Sequence, residues 1–399
     1  MFKMAEFEFV TTFDLSSRGH VPRSNTVIGE VEPALEGLPT PRQGSFASFV
    51  CHLSHLEAKL RADSSLVLDG HSKIRKTKHI LGRGNTFLVR QASWVKDSNE
   101  PPLEVALKEI IPDGVTDSRP TRQVKLYIFL KCQAKVVQSD WKDILFEIRA
   151  LLHGPLRYHP NLVRLLGLQW GLSSLSESTY PTLLMECSVL GSLKHLQESM
   201  DPLPFATKQK LCHDVARGLS ALHACGIVHG DMKHENVLIY RNHNPQLELL
   251  GVVYTAKLAD FGGSVMDMGS EEFRRLESST WPFQAPEWST PLSRDGMKLT
   301  DVYSFGLLIW RAFTDGKGYV SLPGAAQDSS IEDKESLDAQ KQRDGFTNIA
   351  VADLYKYSTD HKVPRESLDI TVYILLATLR LDPADRSLVK AQAALRGTK

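Results

Sequence analysis

Two acidic residues, each at the end of an apolar run, constrain this chain more than any other feature. Ile227-Val228-His229-Gly230-Asp231 leads through Met232-Lys233-His234-Glu235-Asn236 into Val237-Leu238, and beyond a hairpin-like stretch comes Lys257-Leu258-Ala259-Asp260-Phe261-Gly262. The pattern predicts that two carboxylates and one amide, Asp231, Asp260 and Asn236, cluster in space. Asp231 suits the task of orienting an attacking hydroxyl and accepting its proton. Asn236 and Asp260 offer the hard oxygen ligands that Mg²⁺ prefers.

Upstream lie two further pieces. Leu81-Gly82-Arg83-Gly84-Asn85-Thr86-Phe87-Leu88-Val89 sets a glycine pair between two strand-like runs. Bare backbone there could approach phosphate oxygens, although glycines between strands also make plain hairpin turns. Val105-Ala106-Leu107-Lys108 then places one ammonium among apolar neighbours, where a snorkelling edge lysine is the ordinary explanation. Glu147 argues otherwise: it interrupts the apolar face formed by Ile144, Leu145, Ile148 and Leu151, so its carboxylate points inward and wants a cation.

The rest of the chain gives these residues a frame. Strand-like runs at His79 to Gly82, Phe87 to Trp94 and Leu103 to Ile110 predict a small antiparallel sheet. A helix is predicted over Asp143 to His153, strands over Leu162 to Leu168 and Thr182 to Glu186, and a long buried helix over Gln209 to Cys225. From Trp288 onward the periodic stretches are helical, Val302 to Phe313 and Leu368 to Leu379 among them. A sheet-rich half followed by a helical half implies an α+β chain of two lobes meeting at a cleft. Asp315 to Asp344 is polar and reads as a surface loop with one short helix at most. Residues 1–73 carry no catalytic motif and read as an N-terminal extension. Within them Phe46, Phe49, Val50, Leu53, Leu56 and Leu60 trail Ser45 at helical spacing, the pattern of a helix packed on the neighbouring domain.

Composition limits the partners. The chain has 399 residues, enough for a sizeable core, and its 47 basic and 47 acidic side chains cancel, so no net field recruits nucleic acid or an anionic membrane. The five cysteines are scattered, without a close pair, which fits a reducing compartment. The start lacks the apolar core of a secretory signal, and Ile370 to Leu379 is too short to span a membrane. These features imply a cytoplasmic protein, with access to the nucleus left open. His52, His55, His213 and His223 lack companion ligands at metal spacing and read as core or solvated histidines.

Taken in order, the motifs resemble the eukaryotic protein kinase family of serine/threonine type over residues 74–395. Lys108 falls where that family's phosphate-binding lysine lies, Glu147 where its helix-borne partner lies, and Asp231 and Asn236 at its catalytic-loop spacing. Asp260 opens the metal-binding tripeptide, Ala285-Pro286-Glu287 closes the activation segment, and Arg386 matches the arginine that pairs with Glu287. Asp301 to Gly306 resembles the helix that anchors the catalytic loop. The resemblance implies a bilobal fold over 74–399, with a small β-rich N-lobe (about 74–186) carrying one key helix and a larger helical C-lobe (about 187–399). It implies ATP and Mg²⁺ as cofactors and proteins as substrates. Lys233 would steady the γ-phosphate, with Thr280 placed as in serine/threonine kinases. Gly82 and Gly84 would cover the phosphates. Main-chain groups of Glu186 and Cys187, after a gatekeeper Met185, would hold adenine, and Val89, Ala106 and Leu238 would sandwich it.

Two departures stand out. Phe87 takes the third loop glycine's place, which implies modest ATP affinity or an aromatic lid. The family's His-Arg-Asp is His229-Gly230-Asp231 here, so no guanidinium meets an activation-segment phosphate, and activity without phosphorylation of Ser264, Ser270, Ser278, Ser279 or Thr280 is expected. The alternative to an active enzyme is a pseudokinase that binds nucleotide or a client. A small-molecule kinase is disfavoured by Glu287 and Arg386, which shape a platform for peptide. Composition leaves the oligomeric state open.

Overall fold

Strict alternation along one strand decides where the ammonium of Lys108 goes. In Leu103–Ile110 (β3) the fully buried Val105 and Leu107 turn to one face, where they pack with Ala92, Trp94 and Leu184. Ala106, Lys108 and Ile110 turn to the other, against Ile144 and Ile148 of the helix Gln138–Leu152 (α1). That helix presents Ile144, Glu147, Ile148 and Leu151 at i, i+3, i+4 and i+7, so Glu147 shares the stripe that faces the sheet. The computed structural model describes residues 73–84, 87–96, 100–110, 138–172, 179–242, 253–269, 271–277, 279–316 and 331–396. The expected helix from Phe46 to Leu60 lies outside them.

The sheet of the first lobe adds Lys73–Arg83 (β1), Phe87–Val95 (β2), Leu165–Leu172 (β4) and Thr179–Glu186 (β5), in the antiparallel order β1-β2-β3-β5-β4. β1 starts well before the expected His79. Its first half, Lys-Ile-Arg-Lys-Thr-Lys, carries an edge strand's charge instead of an apolar alternation, and the side chains from Arg75 to Lys78 are exposed. β3 has the expected bounds. α1 and β4 are displaced by a few residues, as element ends commonly are.

The second lobe is helical: Leu193–Ser199 (α2), Phe205–Ala224 (α3), Arg294–Phe313 (α4), Ile331–Lys341 (α5), Phe346–His361 (α6), Arg365–Thr378 (α7) and Leu388–Arg396 (α8), with a two-stranded hairpin Val237–Arg241 (β6) and Tyr254–Leu258 (β7). α4 is its axis. It is capped by Ser293, whose Oγ accepts from Gly296 N at 3.2 Å, and nearly every residue from Met297 to Phe313 is buried. Together with α3, α7 and the hairpin it forms one continuous core that reaches up to α1 and β3. The polar stretch expected as a surface loop with one short helix does contain one, α5, but that helix is seated in the core. α5 anchors there through Leu337, which is completely buried, and ends on a buried lysine, Lys341. Among the described residues no helix is long and apolar enough to cross a membrane.

Candidate active site

Lys108 Nζ donates to Glu147 Oε2 at 2.6 Å and to Asp260 Oδ1 at 2.8 Å, which joins sheet, helix α1 and the start of the activation segment at one point. The sequence implied a partly buried pair; the lysine is 6% exposed and the glutamate 0%, so the pair is wholly buried. Burial works against charge on Lys108, but the carboxylates of Asp260 and Glu147 outweigh it and hold the ammonium above the ordinary lysine range. Asp260 is held below the usual carboxylate range by Lys108 beside it, while 47% of its side chain stays exposed for a further ligand. Its backbone is left-handed, at φ 66°, a conformation that non-glycine residues adopt at a cost and that clusters at functional sites. The ring of Phe87 lies over Lys108, with Nζ 4.5 Å from its centroid, a contact that no spacing signalled.

The catalytic-loop segment hangs from α4. Asp301, 2% exposed, accepts from His229 N at 2.8 Å and His223 Nε2 at 2.9 Å through Oδ2, and from Gly230 N at 2.9 Å through Oδ1. His223 is therefore a structural histidine. Gly230 sits at φ +80°, and a Cβ there would stand 2.7 Å from the carbonyl oxygen of Gly263. Glycine relieves both constraints at once, which gives the departure from arginine a local reason.

Suspended in this way, Asp231 is gripped on one side only. Its Oδ2 accepts from Lys233 Nζ at 2.6 Å and from Asn236 Nδ2 at 3.3 Å, and its main-chain oxygen accepts from Asn236 Nδ2 at 2.9 Å. Oδ1 is buried and without a hydrogen-bond partner among the described residues. Lys233 also donates to Thr280 Oγ1 at 2.6 Å, which ties the loop to the activation segment. The amide group of Asn236 is spent on Asp231, and its carbonyl oxygen is left to act as a ligand.

The remaining predicted positions surround this centre. Val89 and Leu238 pack half-buried against the same core as Ala106, which is 8% exposed. Gly82 lies in β1, and Gly84 N donates to Phe87 O at 2.8 Å, closing the turn. Of the two hinge residues, Glu186 spends its N–H on Arg164 O at 3.0 Å and its carbonyl already accepts from Tyr240 OH at 3.3 Å. Its carboxylate is paired with Lys257 at 2.7 Å, another contact absent from the motif pattern. The Cys187 thiol is pushed up to about 11 by burial, with the nearby carboxylate of Glu104 acting the same way, which leaves it a poor nucleophile near neutrality.

The activation-segment hydroxyls were expected to be available, and two are not. Ser264 is 2% exposed and donates to His229 O, and Thr280 is taken up by Lys233. Ser270 and Ser278 lie outside the described residues. At the far end Glu287 receives a bidentate pair from Arg386, at 2.5 and 3.0 Å, the fork geometry that arginine and carboxylate favour.

A cation poised for anionic oxygens, hard oxygen ligands beside it and a proton acceptor nearby are the means of a phosphotransferase. A protein-family model described as Protein kinase domain matches residues 114–391, most of the chain. The chain is 30% identical over 256 residues to a putative serine/threonine-protein kinase/receptor R826 of Acanthamoeba polyphaga mimivirus, covering 62% of this chain and 12% of that protein. It is 32% identical over 217 residues to receptor-interacting serine/threonine-protein kinase 3 of Rattus norvegicus, covering 52% and 39%. With serine/threonine-protein kinase PBL34 of Arabidopsis thaliana the figures are 28% over 248 residues, 60% and 42%. The chain thus spans less than half the length of these curated relatives. It belongs to the eukaryotic protein kinase family. The family match begins downstream of Lys108; it is the fold that carries that lysine to Glu147 and Asp260.

Proposed function

We propose that the protein is a catalytically competent kinase that transfers the γ-phosphoryl group of ATP, with Mg²⁺, to serine or threonine hydroxyls of proteins. The observation that carries this reading is the asymmetry at Asp231: Oδ2 is fixed by Lys233 and Asn236, while Oδ1 is buried and has no hydrogen-bond partner among the described residues. A lone buried carboxylate oxygen is costly unless something donates to it, and an acceptor hydroxyl is such a donor. In this reading Oδ1 orients that hydroxyl and takes its proton, and Lys233, bridging Asp231 and Thr280, lies where it can neutralise the transferring group. Lys108, kept in place by Glu147, binds phosphate oxygens. The exposed carboxylate of Asp260 and the Asn236 carbonyl oxygen, two hard ligands beside an ammonium, fit a metal-bound triphosphate. Bound Mg²⁺·ATP would supply the phosphoryl group and neutralise its charge. Val89, Ala106 and Leu238, with the Glu186 carbonyl and Cys187 main chain, would receive the base.

The reading includes activity without an activation-segment phosphate, because Gly230 offers no guanidinium to bind one. It assigns 74–399 to the catalytic domain, 1–73 to an extension, and the protein to the cytoplasm. One observation favours a pseudokinase instead: Phe87 covers a face of Lys108 that a phosphate would approach. The test is incubation of purified protein with Mg²⁺ and γ-labelled ATP, with and without a generic basic protein, beside Asp231→Asn. Label on serine or threonine from the parent and none from the variant supports the enzyme. Equal, background-level transfer from both would leave the pseudokinase.

A further inference from the structure

The stretch between Thr280 and Glu287 runs from the catalytic loop, through Lys233, to the Arg386 anchor, and its main chain is held by side chains from elsewhere in the lobe. Three successive carbonyls are taken by side chains of two helices: Pro282 O by Lys341 Nζ at 2.6 Å, Phe283 O by Ser304 Oγ at 2.6 Å, and Gln284 O again by Lys341 Nζ at 3.0 Å. Pro286 O accepts from Gln342 Nε2 at 2.9 Å. Ser304 belongs to α4, the rigid axis of the lobe. Lys341 and Gln342 stand at and just past the end of α5, which is itself seated in the core by Leu337.

A lysine only 2% exposed needs a reason, since burying an ammonium costs several kcal/mol unless it is bonded. Here the compensation is two carbonyls together with the indole of Trp281, whose centroid is 4.9 Å from Nζ. Asp338, one turn earlier, adds its charge, although burial still pulls Lys341 down to about 7. Few side chains other than lysine could reach this site from the end of α5 and hold two carbonyls with one atom. An apolar residue of equal length would fill the volume and leave both oxygens unsatisfied.

We infer that Lys341 and Gln342 are positioning residues for the protein acceptor: the end of α5 sets the height and slope of the 281–287 platform against which an acceptor segment lies beside Asp231. The inference rests on the reading of the protein as an active protein kinase, for which this platform faces the acceptor. Neither residue touches the nucleotide-binding centre at Lys108 and Asp260. Their loss therefore acts on acceptor recognition and leaves nucleotide recognition alone.

The test compares the parent with Lys341→Met and Gln342→Ala, the second chosen because its exposed hydrogen bond can be removed without opening the core. Removing a platform bond is expected to raise the KM for a generic basic protein about five- to tenfold, with the KM for ATP unchanged. Hydrogen exchange of the amides in 281–287 is expected to accelerate in both variants while that of β1 to β3 stays at the parent's rate. Unchanged exchange in that segment, or a parallel loss for ATP and acceptor, would overturn the inference. If the parent transfers no phosphate, the kinase reading falls and the acceptor role with it; unchanged exchange in 281–287 beside an active parent overturns the inference alone.

Discussion

Phe87 is the residue at which family pattern and chemistry pull apart. A glycine in its place would leave the Lys108 ammonium open on the side of the loop; the phenyl ring instead lies 4.5 Å from Nζ, in the range where a cation is attracted to an aromatic face. In the proposed reading, a phosphate would have to compete with that attraction and with Glu147 and Asp260, which already take two of the ammonium's three donors. Phe87→Gly is therefore expected to tighten ATP about three- to tenfold, the equivalent of one partly buried cation–π contact. Isothermal calorimetry with ATP and Mg²⁺ measures it. Weaker binding in the variant would mean that the ring closes over the nucleotide as a lid, the other role its position allows.

At the level of elements, the catalytic loop depends on a helix it never touches in sequence. Asp301 binds two consecutive main-chain N–H groups, of His229 and Gly230, and so fixes the left-handed turn that aims Asp231. Gly230→Ala must either keep φ near +80° with a Cβ 2.7 Å from Gly263 O or swing the loop off Asp301. The expected cost is about 1–3 kcal/mol in urea unfolding, with phosphate transfer lost to a greater degree than stability. An alanine variant as stable and active as the parent would show that the turn tolerates a side chain. Sequence pattern foresaw much of this scale. Alternation in β3 and the 3-4 spacing of α1 sent Lys108 and Glu147 inward, and the hairpin between Asn236 and Asp260 was legible from its apolar runs. What stayed hidden had no periodic signature: the charged first half of β1, the ring of Phe87 over an ammonium, the Glu186–Lys257 pair, and Lys341. A lysine four residues after Leu337 in an acidic stretch was the one available hint that α5 turns a face to the core.

Across the whole molecule, the activation segment is tied down by main-chain hydrogen bonds and ion pairs that need no added phosphate. Val265 and Val228 exchange both main-chain bonds at 3.0 Å, Arg149 of α1 meets Asp267 at 2.5 Å, and Arg274 pairs main chain with Leu292. Thr280 is bound to Lys233, and Glu287 to Arg386. These contacts join both lobes to the segment in the arrangement that also keeps Lys108 paired with Glu147. The Arg149–Asp267 pair is partly exposed and is worth about 1 kcal/mol or less alone, so order in the segment comes from the set of contacts and not from one switch. A phosphate would have little left to organise: Ser264 and Thr280 are already engaged, and Gly230 presents no guanidinium. Protein treated with a broad phosphatase, verified free of phosphate by mass and separated from the phosphatase, is therefore expected to keep its initial rate within about twofold of untreated protein. Loss of most of the activity on this treatment, restored by preincubation with ATP, would place a phosphate-binding cation elsewhere in the chain and make the segment's order conditional on modification.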